Sequence, residues 1–280
     1  MKIFNLLCVS FFTILLVSCV APAYYQVYKS TPSDQMIIKD NYLIYEDENC
    51  KILYNLWDDG GNIGFTFYNQ TDNNIYLNLE ESFFIINGIA NNYYKNRIFS
   101  NTSSSGVSVN RNSSISKAVS GINYSNFIQT SKISTQNAIS VLNTVGHSVS
   151  FIEEKIIIIP PKTSKIVSEY LINETLYRDC DLYLYPKIKK NIKSKTFTKT
   201  ESPLIFSNRI AYSIGKIDKL IICENEFYVS QITNFPSKEI IFSKYDEFCG
   251  KKSMTPSKYF RDVSPDKFYI KYRETVNKTY

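Results

Sequence analysis

The sequence predicts an all-β fold, an antiparallel β-sandwich interrupted by one long serine-rich insertion. Three observations carry this. Aromatic residues make up 15% of the 280 residues, with 22 Tyr and 18 Phe, and Tyr, Phe, Ile, Val and Thr suit a pleated, half-buried surface. Apolar residues alternate with period two over short runs. Clusters of Asn, Asp and Gly separate those runs at the spacing of hairpin turns.

The runs follow in order. Cys50, Ile52, Tyr54 and Leu56 share one face of a strand. Asp58-Asp59-Gly60-Gly61-Asn62 is a turn, and Ile63, Phe65 and Phe67 alternate again. Asp72-Asn73-Asn74 is a second turn before Ile75, Leu77 and Leu79. Ser82–Ile86 ends at Asn87-Gly88, a two-residue sequence suited to a type I′ turn. Ile156–Ile159 reads as a buried strand stopped by Pro160-Pro161. Further strands are expected at 166–172, 181–185, 196–198, 204–206, 209–214 and 268–272. The runs 220–233 and 239–248 are expected to form a hairpin about Asn234–Lys238. The segment 101–150 holds 14 Ser and no Asp or Glu, and is expected to be a flexible insertion.

From Cys50 through Asn69-Gln70-Thr71-Asp72 to Asn87-Gly88, the chain resembles an immunoglobulin-like sandwich module. That resemblance refines the predicted class to an immunoglobulin-like β-sandwich. More broadly, the chain is similar to the uncharacterised lipoproteins common in Bacteroidetes, a likeness that brings no catalytic residues with it.

The N-terminus has its own pattern. Met1-Lys2 is a short positive region, and Ile3–Val17 is a mostly apolar stretch of signal-peptide length. It is short for a membrane-spanning helix. Leu16-Val17-Ser18-Cys19 resembles the lipobox of bacterial lipoproteins. The resemblance implies cleavage of residues 1–18, lipidation of Cys19 and attachment to a membrane. Residues 19–40 are then an anchor and tether, with Tyr24–Ile37 irregular because of Pro22, Pro32 and Ser33. Residues 41–280 form the β-rich domain. Val20 follows the cysteine and no acidic cluster does. By resemblance this favours the outer membrane facing the periplasm, with the cell surface as the alternative.

Cys50, Cys180, Cys223 and Cys249 remain in the body. In an oxidising compartment they permit two disulfides in three connectivities. If Thr233 paired with Glu239, the hairpin register would set Cys223 opposite Cys249 and leave Cys50 for Cys180. Buried thiols are the alternative.

Net charge is +6 and its lysines are dispersed; no nucleic-acid motif is present. There is one histidine and no CxxC, which speaks against zinc, and no cofactor is implied. Gly146-His147-Ser148-Val149-Ser150 approaches a nucleophile elbow, but its last position is Ser150, and a triad needs a histidine elsewhere. Adjacent Glu153 and Glu154 would face opposite sides of a strand. The sequence therefore points to a non-enzymatic binding or assembly module, whose partner beyond the membrane is an envelope protein or glycan. Tyr93 and Tyr94, after the Asn87-Gly88 turn, are its candidate ligand-contact aromatics. A carboxylate-dependent glycan- or peptidoglycan-active hydrolase is the alternative.

Overall fold

Alternating Tyr, Ile, Phe and Leu side chains meet between two stacked antiparallel sheets. The computed structural model describes residues 22–33, 35–104, 127–128, 146–216 and 219–274. The predicted all-β antiparallel sandwich is what these residues form.

Four of the five strands of the smaller sheet come from the first third of the chain. Strands β1 (Ala23–Pro32), β2 (Ile37–Lys39), β3 (Tyr42–Glu46), β4 (Cys50–Tyr54) and β5 (Phe65–Asn69) open the fold, and β2 to β5 run as a simple meander. Next come β6 (Ile75–Ile86), β7 (Ile89–Asn92), β8 (Ile98–Ser104), β9 (Phe127–Ile128), β10 (Gly146–Ile152), β11 (Ile156–Ile159) and β12 (Ser164–Val167). Strand β12 closes the meander by pairing with β5. Strands β13 (Leu176–Tyr177), β14 (Ser194–Thr196), β15 (Ile205–Ile214) and β16 (Ile221–Pro236) follow. After one helical turn, Ser237–Ile240, come β17 (Ile241–Lys244), β18 (Glu247–Phe248), β19 (Lys251–Lys252), β20 (Ser257–Phe260) and β21 (Lys267–Arg273). The larger sheet has the order β11-β6-β15-β16-β1-β21, with β14 on β16 and β7 on β6.

Side chains from both sheets make one core. Tyr54 meets Phe227 and Phe67 meets Tyr212, each with ring centroids 5.3 Å apart in edge-to-face geometry. Tyr28 stacks on Phe268 at 4.6 Å. Two tyrosine hydroxyls in this interior are paired with carboxamides: Tyr54 Oη donates to Asn225 Oδ1 at 2.9 Å and Tyr93 Oη to Asn208 Oδ1 at 2.7 Å. Asn87-Gly88 turns between β6 and β7 with both residues at positive φ, 46° and 82°, as a type I′ turn requires. Gly61, at φ 76°, has a packing role: a Cβ there would lie 2.7 Å from Phe268 Cγ and 2.9 Å from Ile172 Cδ1.

Several expectations are corrected. Tyr24–Ile37 is no tether. It supplies β1, an interior strand of the larger sheet paired to β16 and β21, so the β-rich body takes in residues before 41. Tyr24, Gln26, Tyr28 and Ser30 all face inward and are buried. Two of these four are polar, which hides the strand's apolar face in the sequence. Gln26 is satisfied nonetheless. Its Nε2 donates to Tyr177 O at 2.8 Å and Asn234 Oδ1 at 2.9 Å. Its Oε1 accepts from Tyr177 N at 2.7 Å and from Tyr28 Oη. Ile156–Ile159 is an edge strand, with Ile158 55% exposed, rather than a buried one. The run 181–185 forms no strand, although Leu182 is buried. The serine-rich insertion is ordered at both ends: β8 and β10 pair from Ile98↔Ile152 to Ser104↔Gly146.

Replacing Gln26 with Leu removes the acceptor and the donor of this network while keeping volume. Each buried polar group left unpaired costs about 1–3 kcal/mol. Gln26→Leu is therefore expected to lower the unfolding free energy by at least about 2 kcal/mol in chemical denaturation. A change within about 0.5 kcal/mol would show that the network does not hold β1 in place.

Candidate functional site

Two β-ribbons project from the sandwich, and both follow from local sequence. The first is the β8–β10 pair. At its base Glu153 N donates to Arg97 O at 2.9 Å. The Glu153 carboxylate accepts from the Arg97 guanidinium (Nε at 3.1 Å, and Nη2) and from the amides of Lys95 and Arg97 at 2.9 and 3.1 Å. Arg97 Nη1 and Lys95 Nζ each reach Glu169 Oε1 at 2.7 Å, and Lys95 Nζ lies 4.4 Å from the Tyr170 ring centroid. Burial pushes the Glu153 carboxyl up, but the hydrogen bonds from Arg97 and the two amides outweigh it and hold it below the usual carboxylate range. Glu153 is thus a clasp for the ribbon base. Gly146–Ser150 is straight strand paired with Ser100–Ser104, not a strand-to-helix elbow.

The second ribbon departs from the expected hairpin. Strand β16 does not fold back on 239–248. Pro236 ends it, Ser237–Ile240 makes one helical turn, and β17 pairs with β20 from Ile241↔Phe260 to Lys244↔Ser257. Strands β18 and β19 extend the ribbon around Cys249-Gly250, whose φ values of 51° and 76° repeat the handedness of the Asn87-Gly88 turn. The glycine between Phe248 and Lys251 is the sequence signal that could have revealed this turn. Aromatic packing seats the base: Phe260 lies 5.4 Å from Tyr25, 5.1 Å from Trp57 and 4.7 Å from Tyr269.

An open hollow of about 780 Å³ lies along this ribbon, lined by Phe242, Lys244, Tyr245, Asp246, Lys252 and Tyr259 among others. Asp246 braces it. Its carboxylate accepts from Ser257 Oγ and Tyr259 Oη, which hold it below the usual range. Its amide donates to Ser253 Oγ at 3.0 Å. Glu247 sits opposite Lys252 in the ladder. A carboxylate held ionised by two hydroxyls is poorly suited to act as a general acid. The hollow offers aromatic faces and mixed charge, which suits binding.

The residues expected to act are dispersed. Cys19 lies outside the described residues. Tyr93 is 2% exposed and belongs to the core, its ring 5.8 Å from Phe65, so it is not a ligand-contact residue. Tyr94 is half-buried, with its hydroxyl on Asn96 Oδ1 at 2.8 Å and Lys155 Nζ 5.2 Å from its ring centroid. Neither expected disulfide forms, because Cys50, Cys180 and Cys249 carry free thiols. Cys223 faces Ile210 across β15 and β16, since the hairpin that would have set it opposite Cys249 does not exist. Cys50 is fully buried, 3.9 Å from Tyr212 Oη, while Cys180 and Cys249 are exposed. Burial pushes the Cys50 thiol up.

Two outcomes follow. Under native conditions a thiol-alkylating reagent should modify Cys180 and Cys249 within the time that leaves Cys50 intact, read by peptide mass spectrometry; a Cys50–Cys180 bridged peptide would refute this. The depressed Glu153 carboxyl contributes stability that is present above the ordinary carboxylate pKa and is lost as pH falls through the folded value. Amide exchange at Lys95 and Arg97 should therefore accelerate, relative to core amides, as pH falls below the ordinary carboxylate range. Glu153→Gln should show fast exchange already at neutral pH; unchanged exchange in that variant would remove the clasp.

Comparison of the chain with protein-family models, with curated proteins and with solved structures found no match.

Proposed function

We propose that this chain is a lipid-anchored cell-envelope protein whose β-sandwich is a non-enzymatic binding or assembly module. The observation that carries the reading is the apolar leader ending in Leu16-Val17-Ser18-Cys19. One acyl chain binds a bilayer marginally, whereas two or three hold a protein firmly. The outer membrane facing the periplasm is the favoured location and the cell surface the alternative. The partner is an envelope protein or a glycan, met through the surface of the body.

Two observations support binding over hydrolysis. Asp246 is occupied as a brace within its own ribbon, and Glu153 is spent on Arg97. Tyr93, one of the two tyrosines expected to touch a ligand, is spent on the core. The exposed aromatic and cationic surface of the β17–β20 ribbon is thus better placed than Tyr93 to make an outside contact, with the membrane or with the partner.

Cys19→Ala is expected to abolish incorporation of labelled fatty acid and to move the protein from the membrane fraction to the soluble fraction. Membrane retention of the variant without incorporated label would overturn the anchor. Reproducible capture of a glycan or a single envelope protein by the wild-type body would name what the module binds. Turnover of a peptidoglycan or polysaccharide substrate would instead restore the hydrolase reading.

A further inference from the structure

The β17–β20 ribbon carries an unusual combination at its end. Phe248 is 83% exposed and Met254 is fully exposed, and Tyr245 and Tyr259 are also on the surface. Around them stand four lysines, Lys244, Lys251, Lys252 and Lys258, against two carboxylates, Asp246 and Glu247, a local excess of two positive charges. One of those carboxylates is consumed by Ser257 and Tyr259. Large apolar side chains presented to water beside lysines, on a tight turn, do nothing for the core. They have the composition of a segment that dips into a bilayer interface while its cations meet lipid phosphates.

The place of the ribbon in the fold names the surface it would meet. It leaves the larger sheet directly after Pro236, and Pro236 pairs with Tyr24 at the start of β1. The helical turn Ser237–Ile240 packs on both β1 and β16. Ala23 is the first residue of β1, and only four Cα steps separate it from Cys19. At 3.8 Å per step that is at most ~15 Å. A lipid on Cys19 would thus hold the root of this ribbon close to the bilayer. Eight residues, from Ile241 to Phe248, lead out to its turn.

We propose that the β17–β20 ribbon is a second membrane contact, which seats Phe248 and Met254 in the interface of an anionic bilayer and Lys251 and Lys252 on its headgroups. This rests on the lipid-anchor reading and deepens it: the anchor holds the protein to the membrane, and the ribbon fixes which side of the body faces the lipid.

The test uses the unlipidated chain from residue 19 to 280 carrying Cys19→Ala, which retains every described strand. Cosedimentation is measured with vesicles of phosphatidylglycerol and phosphatidylethanolamine, and with vesicles of phosphatidylcholine. Binding to the anionic vesicles is expected to be about tenfold stronger at low salt and to fall as salt screens the lysines. Lys251→Glu with Lys252→Glu should abolish the preference, and Phe248→Ser with Met254→Ser should weaken binding about tenfold. An environment-sensitive fluorophore on the native Cys249, in a Cys180→Ser background, should shift to the blue on anionic vesicles. All four substituted side chains are on the surface, so unchanged thermal unfolding is the control for folding. Equal binding to both vesicle types, full binding by the lysine variant, or an unshifted fluorophore would overturn the proposal. So would binding to a purified anionic polysaccharide with none to vesicles, which would assign the ribbon to glycan. Fatty-acid labelling of Cys19 in cells is independent of these measurements, so a failed anchor and a failed ribbon give different results.

Discussion

The carboxamide of Gln26 is fully buried, and four groups converge on it. Tyr177 offers both its amide and its carbonyl, Asn234 its carboxamide oxygen and Tyr28 its hydroxyl. Unmade, these bonds would each leave a buried polar group bare. Made, they tie β1, β16 and the irregular segment around Tyr177 into one unit. Asn234 passes the tie on, donating to Tyr183 O at 3.0 Å. The larger sheet can therefore hold a loop-rich stretch against itself without an apolar strand pairing there. The position of β1 also decides where the second ribbon is rooted, because Pro236, which precedes it, pairs with Tyr24.

The same junction explains where sequence reading succeeds and where it stops. Runs with a clean two-residue period, such as Cys50–Tyr54, Phe65–Phe67 and Ile75–Leu79, were legible because their inward positions are apolar. The Asn87-Gly88 turn was legible because few residue pairs accept positive φ twice. Strand β1 was not, because Gln26 and Ser30 occupy inward positions and Pro32 closes it. Polar residues inside a sheet look like solvent-facing ones until their partners, more than a hundred residues away, are known. The disulfide expectation failed on register: it assumed a hairpin that one helical turn after Pro236 removes. The candidate contact surface was least legible of all. Exposed Phe248 and Met254 look like ordinary strand residues in the sequence, and only their lack of cover in the fold sets them apart.

The acidic groups tell a consistent story. Glu153 and Asp246 are each held ionised by hydrogen bonds at the base or along the length of a ribbon. Both serve as braces, so the charge chemistry of the body is spent on keeping its projections in shape. The end of the β17–β20 ribbon presents Phe248 and Met254 to solvent beside Lys251 and Lys252.

The strand nearest the start of the chain also imposes an order on assembly. Gln26 and its partner Asn234 are 208 residues apart, and β1 sits between β16 and β21, the last long strands to be made. Early in synthesis β1 has no ladder to join, and closing so long a loop costs entropy before any contact repays it. Such non-local pairing makes folding slow. The larger sheet cannot be completed until nearly all of the chain is available. A polypeptide built this way keeps the middle of its larger sheet unfilled until the strands on both sides of β1 have been made.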